Sequence, residues 1–183
     1  MKIKALILAG GIASRFGGGD KGLALLGGRS LIAHITAALS PLELAISANG
    51  DPARFAEFGL PVLADGEFAG QGPLAGLAAG MAWAHDADAV ITVPCDTPFL
   101  PADLVARLIP APAYAHSGGI DHFLVASWPT SSLAPLLSIL REAGSLKVER
   151  FTRALAARVV EFKDDGKLFL NINRREDLAN AGG

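Results

Sequence analysis

Short apolar runs alternate along this chain with longer stretches whose apolar residues recur at helical spacing. Such runs indicate buried strands when glycine, proline or polar residues bound them. They cover residues 3–9, 42–49, 61–65, 88–96, 122–128 and 157–162. Helices are predicted over residues 30–39, 73–84, 101–109, 131–144 with an interruption near Pro135, 148–157 and 174–181. The alternation predicts an α/β fold with a mostly parallel sheet and helices on both faces.

The composition indicates a single globular domain over residues 1–183. Hydrophobic residues make up 51% of the chain and charged residues 19%, which is enough apolar material for a packed core. A net charge of −2 argues against nucleic acid as a partner, and no apolar run is long enough to span a membrane. The single cysteine, Cys95, excludes an intrachain disulfide. Since the sequence shows no signal peptide, the cytoplasm is the expected location. The sequence does not determine the oligomeric state, and a monomer is one of the open alternatives.

In open α/β sheets, ligands bind beyond the carboxyl ends of the strands, so three predicted loops matter most. They follow Leu8, Ile46 and Val93. The third contains the sequence PCDTPFLP, residues 94–101. Its Asp96 suits Mg²⁺, which commonly takes one or two carboxylates together with substrate phosphates. The same aspartate also fits a plain turn residue.

The first loop, LAGGIASRFGGGDKG over residues 8–22, combines bare backbone with positive charge. Glycines let backbone N–H groups approach phosphate oxygens, and Arg15 and Lys21 can neutralise phosphate charge. The spacing matches neither the Walker motif nor the dinucleotide-binding fingerprint. From the residues alone, a phosphate site and an ordinary surface loop are both open interpretations.

Three further residues lie next to these loops. Asn49 and Asp65 follow the second and third predicted strands, where each also fits a turn. Cys95 precedes Asp96, but no histidine is placed to activate it as a nucleophile. A buried, unreactive thiol is therefore the favoured interpretation.

Four segments together resemble the nucleotidyltransferases of the NTP-transferase type, and within them the molybdenum cofactor guanylyltransferases. The segments are LAGGIASRFGGGDKG, GPLAG, PCDTPFLP and NINRREDL, in the family's order and at its approximate spacing. The resemblance implies a Rossmann-like fold of the nucleotide-diphospho-sugar transferase type that binds GTP and Mg²⁺. It further implies transfer of GMP from GTP to the terminal phosphate of molybdopterin, with release of pyrophosphate.

The resemblance also implies roles for individual residues. Those expected to bind the nucleotide are Leu8, Ala9, Gly10, Gly11, Lys21, Asn49, Asp65 and Asp96. Lys21 matches the phosphate-binding lysine, Asp96 the metal ligand, and Asn173 a second group at the metal site. Arg15, Lys21 and Asp96 are expected to be catalytic, because they would offset the repulsion between two polyanionic substrates.

Two features depart from the family's pattern. Family members often carry a His-Pro pair where this chain has His122-Phe123, and arginines near residues 144–148, where it has only Lys147. Both lie in the half expected to hold the pterin substrate. The departures therefore concern the pterin contacts and leave the expected nucleotide site unchanged.

Three other functions stay open at this point. A cytidylyltransferase acting on the same cofactor tends to have alanine in place of Gly10. Sugar-phosphate nucleotidyltransferases are usually longer. A nucleotide-binding adaptor without turnover would have less need of a metal ligand, so Lys21 and Asp96 together argue against it.

Overall fold

The structure is a computed structural model that describes residues 1–10, 20–142, 147–163, 167–173 and 176–178. Within these residues, the strands β1–β9 are Ile3–Leu8, Leu25–Leu26, Arg29–Ser30, Glu43–Ser47, Val62–Leu63, Ala89–Pro94, Ala113–Ser117, Ile120–Pro129 and Arg158–Glu161. The helices α1–α5 are Leu31–Leu39, Pro73–Trp83, Leu104–Leu108, Leu133–Arg141 and Val148–Ala154. Short 3₁₀ turns cover Lys21–Leu23, Pro52–Phe58, Gly66–Phe68 and Thr130–Ser132.

Seven strands form one sheet in the order β5-β4-β1-β6-β8-β7-β9, and β2 and β3 form a separate ribbon. Four of the six pairings in the large sheet are parallel, while β8 runs antiparallel to β6 and β7. Strand β1 lies between β4 and β6 in the parallel part. The predicted α/β class and mostly parallel sheet are confirmed.

Helices pack on both faces of this sheet, as the alternation of side chains along β1 shows. Ala5 and Ile7 belong to a buried cluster with residues of α1 and α3. Leu6, which points the other way, lies against α2. On that second face, Trp128 of β8 joins a cluster with residues of α2, α4 and α5. The core is therefore two apolar layers separated by the sheet.

Three strands, β2, β3 and β7, were not predicted from the sequence pattern. The core-facing positions of β7 are Ala113, Ala115 and Ser117, whose small side chains have little strand preference. One signal was available, because the Gly118-Gly119 pair forms the two-residue turn that joins β7 to β8. That hairpin also explains why β8 runs antiparallel.

Two predicted helices need correction. The helix predicted over residues 101–109 covers only Leu104–Leu108, and the helix predicted over 131–144 runs without interruption from Leu133 to Arg141. Pro135 lies in its first turn, where the helix needs no N–H donor, so the predicted interruption is wrong. Of the helix predicted over 174–181, the structure describes only residues 176–178, which are helical. No helix in the described ranges is long and apolar enough to cross a membrane.

Helix α2 lies unusually close to the sheet because two residues on its inner face are glycines one turn apart. A Cβ atom on Gly76 would come closer than 3.0 Å to Ser47 Oγ of β4, and one on Gly80 equally close to Leu6 of β1. Both strand residues are buried, so a shift of either side chain would disturb its neighbours in the core. The close approach holds the N-terminus of α2 beside the carboxyl ends of β1 and β4.

We expect Gly76→Ala to destabilise the fold, because the added methyl group overlaps Ser47 Oγ. Overpacking of this kind costs about 1–3 kcal/mol, which urea unfolding would measure. Gly10→Ala is the matched control, since a Cβ there meets no described residue within 4 Å. In a Ser47→Ala background the cost of Gly76→Ala should fall. An equal cost in both backgrounds would contradict the proposed overlap.

Candidate functional site

A cleft of about 1020 Å³ opens where the carboxyl ends of β1, β4 and β6 meet the N-terminus of α2. This is the sheet edge that the sequence pattern indicates. The predicted site residues that line the cleft are Leu8, Ala9, Gly10, Lys21, Asn49, Asp65 and Asp96. Gly11 and Arg15 lie outside the described residues. The structure thus gathers residues from four separate segments into one cavity.

Lys21 is at the centre of the polar part of this cleft. Its Nζ donates to Asp96 Oδ2 and to Asn173 Oδ1, each at 2.6 Å. The Lys21 and Asp96 side chains are only 18% and 19% exposed, so water screens their attraction weakly. The neighbouring Gly22 packs against Ile32 of α1, where a Cβ atom would come closer than 3.0 Å. Asp96 and Asn173, which were predicted from different motifs, therefore both bind the ammonium group of Lys21.

Asp96 is also held through its other oxygen and its backbone. Thr97, which is buried, can donate its one hydroxyl hydrogen either to Asp96 Oδ1 at 3.3 Å or to Asn171 Oδ1 at 2.9 Å. The N–H of Ile172 donates to the carbonyl of Asp96 at 2.8 Å. Thr97 and Asn171 were not predicted. The only available signal was that Thr97 follows Asp96 and that Asn171 lies in the same motif as Asn173.

A second group of cleft residues is built around Asn49. Its Nδ2 donates to Asp65 Oδ2 at 2.6 Å, and its Oδ1 accepts from the N–H of Asp65 at 2.9 Å. Arg54, which no sequence motif indicated, donates to the Asn49 carbonyl at 2.6 Å and lies 2.9 Å from Asp20 Oδ2. Both ends of the Asn49 amide thus orient Asp65. Arg54 connects this group to the residue that precedes Lys21.

The charges of the cleft suit anions and a cation together. Among the described residues that line it, the basic side chains are Lys21 and Arg54; each pairs with a carboxylate, and the N-terminus of α2 adds a partial positive charge. Within the described ranges, no three His, Cys, Asp or Glu side chains group as a metal site. The oxygens of Asp96 and Asn173 nevertheless already converge on one positive group. Such hard oxygen donors fit Mg²⁺, with substrate phosphates as further ligands.

A second cavity of about 750 Å³ adjoins the cleft and shares Pro73, Pro94 and Leu124 with it. The two residues that depart from the family's pattern, Phe123 and Lys147, line this cavity together with His122. Its remaining walls come mainly from β8 and from residues 168–171. A planar, partly apolar molecule with polar edges would match such a lining.

Cys95 lines the cleft, yet it is a buried thiol. Its burial, together with the neighbouring Asp96 carboxylate, raises the pKa of the Cys95 thiol to about 12. The thiolate is the reactive form, so Cys95 stays unreactive near neutral pH. The interpretation of Cys95 as a buried residue rather than an activated nucleophile agrees with this environment.

We expect DTNB at pH 8 to leave Cys95 unmodified in the native protein. In guanidinium chloride the same reagent should titrate one thiol per chain, because unfolding removes the burial that raises the pKa. The absorbance of the released thionitrobenzoate measures both states. Rapid modification of the folded protein would contradict the assignment.

The chain is similar in sequence and structure to proteins of known families. A family model described as the MobA-like NTP transferase domain matches residues 5–159. A molybdenum cofactor guanylyltransferase from Acidiphilium cryptum is 47% identical over 98% of this chain and 95% of its own length. One from Cereibacter sphaeroides is 47% identical over 99% of this chain and 96% of its own length.

Among solved structures, the molybdopterin-guanine dinucleotide biosynthesis protein A from Archaeoglobus fulgidus gives a TM-score of 0.74 at 21% identity. That likeness covers 98% of this chain and 96% of the other, and it confirms the fold. The sequence identities establish more than the fold, because they extend over nearly the whole chain. The protein therefore belongs to the MobA-like NTP transferase family, among the molybdenum cofactor guanylyltransferases.

Proposed function

We propose that this protein transfers GMP from GTP to the terminal phosphate of molybdopterin, forming the guanine dinucleotide cofactor and releasing pyrophosphate. The observation that carries the proposal is the convergence of Lys21, Asp96 and Asn173 at the cleft bounded by the Leu8–Gly10 backbone. The 47% identity to relatives named for this reaction supports it. We place the reaction in one domain, residues 1–183, and in the cytoplasm, where a lone thiol is stable.

The nucleotide would occupy the larger cleft. The Ala9 N–H and the Leu8 carbonyl are already paired within the sheet, with Ser47 and Cys95, so the backbone that would meet the edge of a base runs from the Ala9 carbonyl to Gly10. Asp65, oriented by Asn49, offers a carboxylate acceptor for nucleotide donors. The triphosphate would extend toward Lys21, and Arg15 is proposed from the sequence to neutralise part of its charge.

The acceptor would occupy the adjoining cavity. Its aromatic and apolar wall suits a planar pterin, and His122 and Lys147 supply polar groups at its edge. The wall shared with the larger cleft brings an acceptor phosphate close to the nucleotide phosphates. Because Phe123 and Lys147 stand where the family commonly has other residues, we propose that they carry this chain's own contacts to the pterin.

Transfer requires an oxygen of the acceptor phosphate to attack the α-phosphorus of GTP. A new P–O bond forms while the bond to the pyrophosphate oxygen breaks, and the electron pair leaves with pyrophosphate. Lys21 would donate hydrogen bonds to the phosphate oxygens and stabilise the charge that develops on them. No protein nucleophile is needed, which agrees with the unreactive Cys95. Positioning and electrostatics account for most of what such a reaction asks of a protein.

Asp96 and Asn173 would hold the divalent metal ion, for which we propose Mg²⁺. When bound, the ion would supply further neutralisation of the triphosphate. The N–H of Ile172 holds the Asp96 backbone, and the Thr97 hydroxyl lies beside the Asp96 oxygen that Lys21 does not contact. These two residues are positioning residues in this scheme, since they act on the substrate through Asp96.

Asp96→Asn should abolish transfer while leaving the fold intact, because the neutral amide is a poor metal ligand and cannot pair with Lys21. Release of pyrophosphate from GTP and molybdopterin measures transfer, and circular dichroism checks the fold. Asp103→Asn, at an exposed position of α3's N-terminus, is the matched control and should retain activity. EDTA should also stop the wild-type reaction, and added Mg²⁺ should restore it. Turnover by Asp96→Asn at the wild-type rate would remove Asp96 from the mechanism.

GTP should be strongly preferred over ATP and CTP, because the backbone from the Ala9 carbonyl to Gly10 can match the donor and acceptor pattern of only one base. Sites built on such hydrogen bonds can reject a wrong partner by as much as about 10⁴-fold. Gly10→Ala should reduce this preference more than it reduces stability, since the added Cβ meets no atom of the described part of the chain within 4 Å. The measurement is kcat/KM for the three nucleotides in both proteins. Equal use of CTP and GTP by the wild type would favour a cytidylyltransferase instead.

A further inference from the structure

We propose that Lys21 is the resident cation of the metal position, and that a divalent ion binds there only when the triphosphate draws Lys21 away. Metal and nucleotide would then bind cooperatively, each weakly without the other. The inference rests on the proposed function only in naming a triphosphate as the group that receives Lys21. It gives the lysine a role in the free protein in addition to its role in transfer.

The first argument is spatial. Asp96 Oδ2 and Asn173 Oδ1 both lie 2.6 Å from the same Nζ atom, so the ammonium occupies the point on which the two oxygens converge. Mg²⁺ needs oxygen ligands at about 2.0–2.1 Å, which places it in the same space. The ammonium and the metal ion therefore exclude each other from this position.

The second argument is electrostatic. The Lys21 and Asp96 side chains are more than four-fifths shielded from water, so their charges interact through a medium that screens poorly. Paired with Lys21, Asp96 no longer presents an uncompensated negative charge. A divalent ion approaching the pair would meet the ammonium at close range, which weakens its binding.

The third argument concerns what the protein alone can offer a metal. In the described part of the chain, no three acidic, histidine or cysteine side chains group as a metal site. Asp96 and Asn173 leave most positions of an octahedral ion unfilled, so phosphate oxygens and water must complete it. The same phosphates attract Lys21, whose long side chain can follow them. The triphosphate thus both draws Lys21 out of the metal position and supplies the missing metal ligands. By linkage, the metal ion must then strengthen triphosphate binding by the same factor as the triphosphate strengthens metal binding.

The test is Mn²⁺ binding to the nucleotide-free protein, measured from the electron paramagnetic resonance signal of free Mn²⁺. Lys21→Met should bind Mn²⁺ about ten-fold more tightly than the wild type, since loss of one charge-assisted bond changes an equilibrium by about that factor or more. Lys163→Met removes the same charge at an exposed position and should leave the affinity within about two-fold of the wild type. In an Asp96→Asn background, Lys21→Met should produce no gain.

The proposal is overturned if Lys21→Met binds Mn²⁺ no more tightly than the wild type, or if Lys163→Met gains as much. It is also overturned if the gain persists in the Asp96→Asn background, because the metal would then bind elsewhere. Circular dichroism establishes that each variant is folded, and Lys21→Gln replaces Lys21→Met if the latter does not fold. No nucleotide or acceptor is present, so the result is independent of whether the protein transfers GMP.

Discussion

The ammonium group of Lys21 joins parts of the chain that are far apart in sequence. Its partners Asp96 and Asn173 lie 75 and 152 positions away. One interaction therefore connects the end of the first loop, the end of the central strand β6 and the C-terminal segment. The second group of cleft residues is attached to the same point, because Arg54 lies beside Asp20, the neighbour of Lys21. The polar part of the cleft depends on this arrangement more than on any single strand or helix.

Much of the fold could be predicted because its parallel strands carry strong signals. Strand β6 is apolar on both faces and ends at a loop of proline and aspartate, so its burial and direction follow from the sequence. Strand β7 gave no comparable signal, since Ala113, Ala115 and Ser117 are small and have little preference for strands. The ends of elements were also less certain. Pro135 is a helix breaker in the interior but harmless in the first turn, and the pattern alone did not distinguish the two.

The site, like the fold, contains residues that the sequence predicted and residues that it did not. Lys21, Asp96 and Asn49 follow predicted strands or a glycine-rich loop, so the topology of a parallel sheet brings them to one edge. Arg54 lies in a 3₁₀ turn with no motif, and its part in the cleft depends on a tertiary approach that sequence spacing does not encode. Asn171 is similar, because its contact with Thr97 requires the C-terminal segment to fold back over β6. Gly11 and Arg15 stay predictions.

The wall common to the two cavities, formed by Pro73, Pro94 and Leu124, bears on the order of kinetic steps. Two of these residues are prolines, whose rings restrict the backbone at the boundary between the cavities. Donor and acceptor in the proposed reaction can therefore be bound at the same time, in adjacent cavities on either side of these three residues. This geometry favours a sequential mechanism, in which donor and acceptor form a ternary complex with the protein before the reaction. A change at the shared residues would then alter the apparent affinities for the donor and for the acceptor together.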